Sequence, residues 1–148
     1  MTADTDTIGW NIRDWSRAYR NGASPEQLLE QLRRQIELDE FSDGVLRHGS
    51  AWISLVSDVA LRDQLTRLSE LKQEGSELPL YGVPFAVKDN IDVRGMATTA
   101  ACPEYSYQPD SDATAVRLLR EAGAIVLGKT NLDQFATGLV GTRSPYGA

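Results

Sequence analysis

The sequence predicts an α/β fold in which three N-terminal helices cover the beginning of a sheet whose first two strands run parallel. Three observations carry this. Apolar residues recur at helical spacing as far as Leu71. From Leu78 the texture changes to short apolar runs over 83–88 and 124–128, with a loop-rich stretch and a helix over 112–122 between them. Within the second run, Ala124-Ile125-Val126-Leu127 shows no polar alternation, as expected for a strand covered on both faces.

Taken in order, residues 1–6 read as a frayed tail. Ile8, Ile12, Trp15 and Tyr19 then recur near helical spacing until Asn21-Gly22 stops the helix. Ser24 caps a second helix, Pro25 takes its first turn and Gln27 is placed to complete a capping box. Leu28, Leu29, Leu32 and Ile36 give that helix one apolar face to about Asp39. Trp52-Ile53-Ser54-Leu55-Val56 reads as a short strand. Ser57 or Asp58 caps a third helix carrying Leu61, Leu65, Leu68 and Leu71, and Gly75-Ser76-Glu77 breaks it. Asp110, Ser111 or Asp112 caps the helix over 112–122; Val116 and Leu119 give it a face and Gly123 ends it. This strand–loop–helix–strand unit takes a right-handed crossover and a parallel pair by default. A helix over 132–137 follows, then the glycine-rich 138–148.

Composition bounds the function. A chain of 148 residues suits one core rather than two full domains. Hydrophobic residues at 41% and charged ones at 24% describe a soluble globular protein. The net charge of −6 argues against nucleic-acid or anionic-membrane partners. The longest apolar runs fall far short of the ~20 residues that span a bilayer. The polar, acidic start is no signal peptide. A lone cysteine, Cys102, forms no internal disulfide, which fits a reducing, cytoplasmic setting.

With one histidine and one cysteine, acid–base chemistry falls to lysine or carboxylates. Lys88 ends the apolar run 81–87. In a strand from Val83, the residues Val83, Phe85 and Val87 face one way while Ala86 and Lys88 face the other. Pro84 marks a strand start or an edge. Lys88 then emerges where strand gives way to loop, a common station for active-site groups in α/β folds. To act as a base near neutrality, its amine must be desolvated. The plainer alternative is a solvated lysine closing a strand, or one paired with Asp89 or Asp92.

Other candidates are weaker. Gly123 to Thr130 matches G-x-x-x-x-G-K-T literally, yet its four middle residues belong to a buried strand and cannot wrap a phosphate. Asp89, Asp92, Asp110, Asp112 and Asp133 have no His/Cys cluster beside them and read as caps or turns, so no metal is expected. His48 has loop-like company and faces solvent, Cys102 reads as a small buried residue, and Trp10, Trp15 and Tyr19 read as core.

Gly82-Val-Pro-Phe-Ala-Val-Lys-Asp-Asn-Ile-Asp-Val93, Gly95 with Thr98-Thr99, Asp112-Ala-Thr, and Ala122-Gly-Ala-Ile-Val-Leu-Gly-Lys-Thr-Asn-Leu-Asp-Gln-Phe-Ala136 follow in that order. Together they resemble the amidase signature family, and the resemblance spans essentially everything from Leu78 on. Within the family, 98–103 and 133–147 look most like the allophanate-hydrolysing branch, as do the N-terminal helices and 52–56. Ala101-Cys102 stand where many relatives carry Gly-Ser, and Gln134 where they carry Glu.

The resemblance implies a mixed, largely parallel sheet with helices on both faces, incomplete in this chain. Residues 1–77 would form an N-terminal helical segment and 78–148 the start of the core. It implies amide hydrolysis by a Ser–cis-Ser–Lys triad without metal or organic cofactor, in this branch of urea-1-carboxylate to ammonia and carbon dioxide. Lys88 matches the family lysine, which acts through the bridging serine. Gly138, Leu139, Val140, Gly141 and Thr142 either approach the substrate cleft or form a plain structural loop. Lys129 and Asn131 look structural. Both family serines belong to a Gly/Ser-rich segment absent from these residues, and Ser144 has no such setting. The chain alone is therefore expected to be inactive, with the C-terminal remainder as its partner. Strands such as 124–128 would then be uncovered and prone to self-association, a homo-oligomer included. Two alternatives stay open: another amidase, such as one acting in aminoacyl-tRNA amidotransfer, and a non-catalytic structural or binding remnant.

Overall fold

A computed structural model describes residues 7, 9–42, 45–47 and 51–147. The first helix, α1 (Ile12–Arg20), starts from a reciprocal box: Asn11 Oδ1 accepts from Arg13 N at 2.9 Å and Asp14 N at 3.3 Å, and Asp14 Oδ2 accepts from Asn11 N at 3.0 Å. It ends at Asn21, as expected, and buries Trp15, whose ring lies 5.1 Å from Trp10 and 6.1 Å from Tyr19. Ile8, expected on the same face, lies outside the described residues.

Helix α2 (Pro25–Glu40) opens with Ser24 Oγ accepting from Gln27 N at 3.4 Å and Pro25 in the first turn. Leu28 and Leu29 are buried, with Leu32 and Ile36 packed beside them. A two-residue antiparallel pair follows, β1 (Phe41–Ser42) with β2 (Val45–Leu46), which no sequence signal marks. Strand β3 (Trp52–Leu55) leads into α3 (Asp58–Gln73), where Ser57 Oγ accepts from Ala60 N at 3.1 Å and Leu61 and Leu68 are buried.

Strand β4 (Pro84–Lys88) runs parallel to β5 (Ile125–Thr130), as the default predicts, with α4 (Thr114–Glu121) between them in sequence. Proline stands at the strand start, where no ladder donor is lost. On the other flank β3 pairs antiparallel with β5, so the sheet is mixed with order β3-β5-β4. Among the described residues, four α-helices and this three-stranded sheet make the mixed α/β fold.

The central place of β5 corrects one expectation. Residues 124–129 are buried throughout, not uncovered. The N-terminal segment supplies a strand to the second flank, and Gln64 continues the pairing past its end. The Gln64 amide donates to Val126 O and accepts from Val126 N, both at 3.0 Å. Close approach of β3 requires glycine at 128, where a Cβ would lie 2.3 Å from Ser54 O.

Two further expectations change. The helix expected over 132–137 is a single 3₁₀ turn, Gln134–Ala136, with Phe135 and Ala136 at φ of +53° and +56°. A left-handed backbone cannot propagate a right-handed helix. Helix α4 begins at Thr114 after Ala113, without a side-chain cap. Asp112 is engaged elsewhere, accepting from Arg94 N at 2.7 Å and from the Arg120 guanidinium at 2.9 Å.

Candidate active site

Lys88 stands where the two parallel strands end, opposite Thr130. Lys88 is the last residue of β4 and is exposed, like Ala86 on its face, while Val87 on the other face is 4% exposed. The expected facing therefore holds. Pairing with Asp89 or Asp92 does not, because both carboxylates have other partners.

Asp89 is fully buried. Its Oδ1 lies 3.1 Å from Lys129 Nζ, and its Oδ2 accepts from Thr99 N at 3.1 Å and from the Thr99 hydroxyl. Asp92 Oδ1 accepts from Thr98 Oγ1 at 2.9 Å and from Tyr107 OH at 2.7 Å. That bond to the carboxylate holds the phenol proton and raises the Tyr107 pKa above its ordinary value. Asp89, buried, and Asp92, half-buried, thus bind other side chains instead of capping turns.

Lys129 is the residue that the pattern undervalued. Its side chain is fully buried on β5, whereas Lys88 is exposed. The signal was present: a lysine closing an apolar run read as covered on both faces must bury an amine, and a buried amine needs an acid. The strand register supplies that acid, since Val87 pairs with Lys129 and Asp89 follows.

A third carboxylate organises the glycine-rich loop. Asp133 Oδ1 accepts from Arg143 N at 2.6 Å and its Oδ2 from Gly141 N at 3.0 Å. These main-chain amides, Arg143 first, hold the Asp133 pKa below the usual carboxylate value. Of the five loop candidates, Gly138 packs so close that a Cβ would lie 2.2 Å from Asp133 Oδ2, while Leu139, Val140, Gly141 and Thr142 are exposed. Phe135 N donates to Ala100 O at 2.9 Å and Ala100 N to Asp89 O at 3.2 Å, tying this turn to the segment after Lys88.

The remaining candidates are placed plainly. Asn131 is structural in its contacts: Oδ1 accepts from Ser144 Oγ at 2.6 Å, and Nδ2 donates to Gly147 O at 3.1 Å. Ser144 is thus engaged with Asn131. Cys102 is half-buried rather than buried, its Sγ 3.6 Å from Glu104 Oε2. Gly123 to Thr130 forms the β5 strand and its lead-in, as its apolar middle requires. His48 lies outside the described residues. No helix among the described residues is long and apolar enough to cross a membrane. Chemically, the strand end presents an exposed amine on a rigid base.

The family model described as Amidase matches residues 45–148. Urea amidolyase of Saccharomyces cerevisiae is 53% identical over 99% of this chain, which spans 8% of that protein's length. The glutamyl-tRNA(Gln) amidotransferase subunit of Prochlorococcus marinus is 38% identical over 93% of the chain, covering 27% of its own length. Among solved structures, Kluyveromyces lactis allophanate hydrolase is 51% identical with a TM-score of 0.78, over 95% of this chain and 22% of that one. The peptide amidase of Stenotrophomonas maltophilia is 32% identical with a TM-score of 0.72, over 89% of this chain and 26% of that one.

Proposed function

This chain belongs to the amidase family, and from that premise we propose that it supplies the general base of an enzyme hydrolysing allophanate, urea-1-carboxylate, to ammonia and carbon dioxide. The observation that carries the reading is the 53% identity with urea amidolyase along nearly the whole chain, Lys88 included in its span. The similarity to amidotransferase subunits is lower, which favours allophanate as the substrate.

In this reading Lys88 takes a proton from a bridging serine, which in turn takes the proton of the nucleophilic serine as it attacks the amide carbonyl. Both serines come from the remainder of the enzyme, completing a Ser–cis-Ser–Lys triad. The loop at 138–142 borders the substrate. The strand end contributes orientation: the last ladder bond and the turn closed by Ile91 N donating to Lys88 O at 2.9 Å hold the lysine backbone. Enclosure of the exposed amine by that same remainder supplies the desolvation that a lysine base requires. The enzyme works in the cytoplasm, within urea breakdown.

The test compares allophanate turnover by the full-length enzyme, its Lys88→Ala variant and the pure 148-residue chain. Loss of the base should lower kcat by about 10²–10⁴-fold with the fold intact, and the chain alone should show no turnover. A near-wild-type rate for Lys88→Ala, or turnover by the chain alone, would refute the proposal.

A further inference from the structure

Lys129 and Asp89 form an ion pair whose side chains are 0% and 1% exposed. Burying two charges is costly, and an apolar pair of the same shape would be about as stabilising. What such a pair can supply is a single geometry. An ammonium has three N–H donors, and Lys129 Nζ has three acceptors in reach: Asp89 Oδ1 at 3.1 Å, Ala97 O at 3.2 Å and Thr98 Oγ1 at 3.2 Å. Two of these contacts, to Ala97 O and Thr98 Oγ1, are hydrogen bonds, and the contact with Asp89 Oδ1 is one of charge. The Asp89 carboxylate is held from its other side by both the amide and the hydroxyl of Thr99.

The clamp sits at a place where a strand would otherwise fray. The β4–β5 ladder ends at the Lys88–Thr130 pair, followed by one last bond from Asp89 N to Thr130 O at 3.1 Å. Asp89 is the residue after Lys88, and neighbouring strand residues point to opposite faces. Fixing the Asp89 side chain inward therefore fixes the rotation of the backbone that aims Lys88 outward.

We propose that the buried Lys129–Asp89 pair, with Thr99, is the positioning device of the catalytic amine: Lys129 acts through Asp89 to hold Lys88 in register with the serine it deprotonates. This rests on the role proposed for Lys88 above.

The test uses the full-length enzyme. The Asp89→Asn/Lys129→Met double variant removes both charges while keeping shape, so no carboxylate is left stranded. With an unchanged melting temperature, kcat should fall about 10- to 100-fold with KM within about twofold of wild type, as expected for a misaimed group. A purely structural pair would leave kcat at wild type in the folded protein. Thr99→Val, which removes one hydroxyl donor and leaves the ion pair, should lower kcat about three- to tenfold and decides the matter should the double variant not fold. Wild-type kcat in the folded double variant, or in Thr99→Val where only that variant folds, overturns the proposal. Lys88→Met, assayed alongside, separates the two readings. If it retains wild-type activity, the base assignment itself fails. If it is inactive while the clamp variants are normal, only the positioning role fails.

Discussion

At the scale of residues, two lysines with similar apolar approaches have opposite fates. Lys88 closes an edge strand and faces solvent, while Lys129 lies in the middle strand and is fully buried. Neighbours on both flanks of β5 leave the Lys129 amine no route to water, so it takes an acid, a carbonyl and a hydroxyl in exchange. Gly128 is the other residue whose identity is dictated by contact. A methyl group there would meet Ser54 O at 2.3 Å and the Trp52 ring at 2.9 Å, with backbone on one side that cannot yield. Gly128→Ala should therefore destabilise the chain by about 3 kcal/mol as β3 is pushed from β5. Chemical denaturation checks this, and a loss below about 0.5 kcal/mol would mean that β3 is not seated as described.

At the scale of elements, local signals and distant ones part company. Ser24 and Ser57 cap α2 and α3 where the pattern puts them, because a cap depends on residues two or three positions away. Asp112 and Asp133 look the same in sequence but serve distant amides and a guanidinium. For Asp133 this has a consequence in acid. Its folded-state pKa lies below 3.8, so the stability it lends the 138–143 loop is fully present above the ordinary value and is lost as pH falls through the lower one. Hydrogen exchange at Gly141 and Arg143 should quicken over that window. Asp133→Asn should quicken it at neutral pH as well, since an amide group accepts through one oxygen only. Exchange insensitive to both changes would show that the carboxylate does not hold the loop.

At the scale of the whole molecule, the core closes around β5. Helices α1, α2 and α3 contribute Trp15, Leu28, Leu29, Leu61 and Leu68 to the same cluster as Val126 and Leu127. Both outer strands, β3 and β4, keep one edge without a strand neighbour among the described residues. Association of isolated chains should then proceed through those edges, not through β5. Native-state hydrogen exchange offers a direct check: amides of 126–129 should be the most protected, and those of β4 that point away from β5 among the least. Equal protection in β4 and β5 would contradict this arrangement.

Much of the molecule was legible in its residues. The helices α1 to α3, the parallel β4–β5 pair, the strand-end station of Lys88 and the family itself all rest on short-range patterns. Periodicity, caps and motifs express interactions between near neighbours in the chain. Tertiary structure alone decided the rest: that β3 would cross to the far flank of β5 and bury it, that Asp89 would answer Lys129 and not Lys88, and that Phe135 and Ala136 would turn left-handed against Ala100. Each of these is a contact between segments roughly 35 to 75 residues apart, or a consequence of one. Local sequence can state that an amine will be buried, but its partner is set by which strands come to lie side by side.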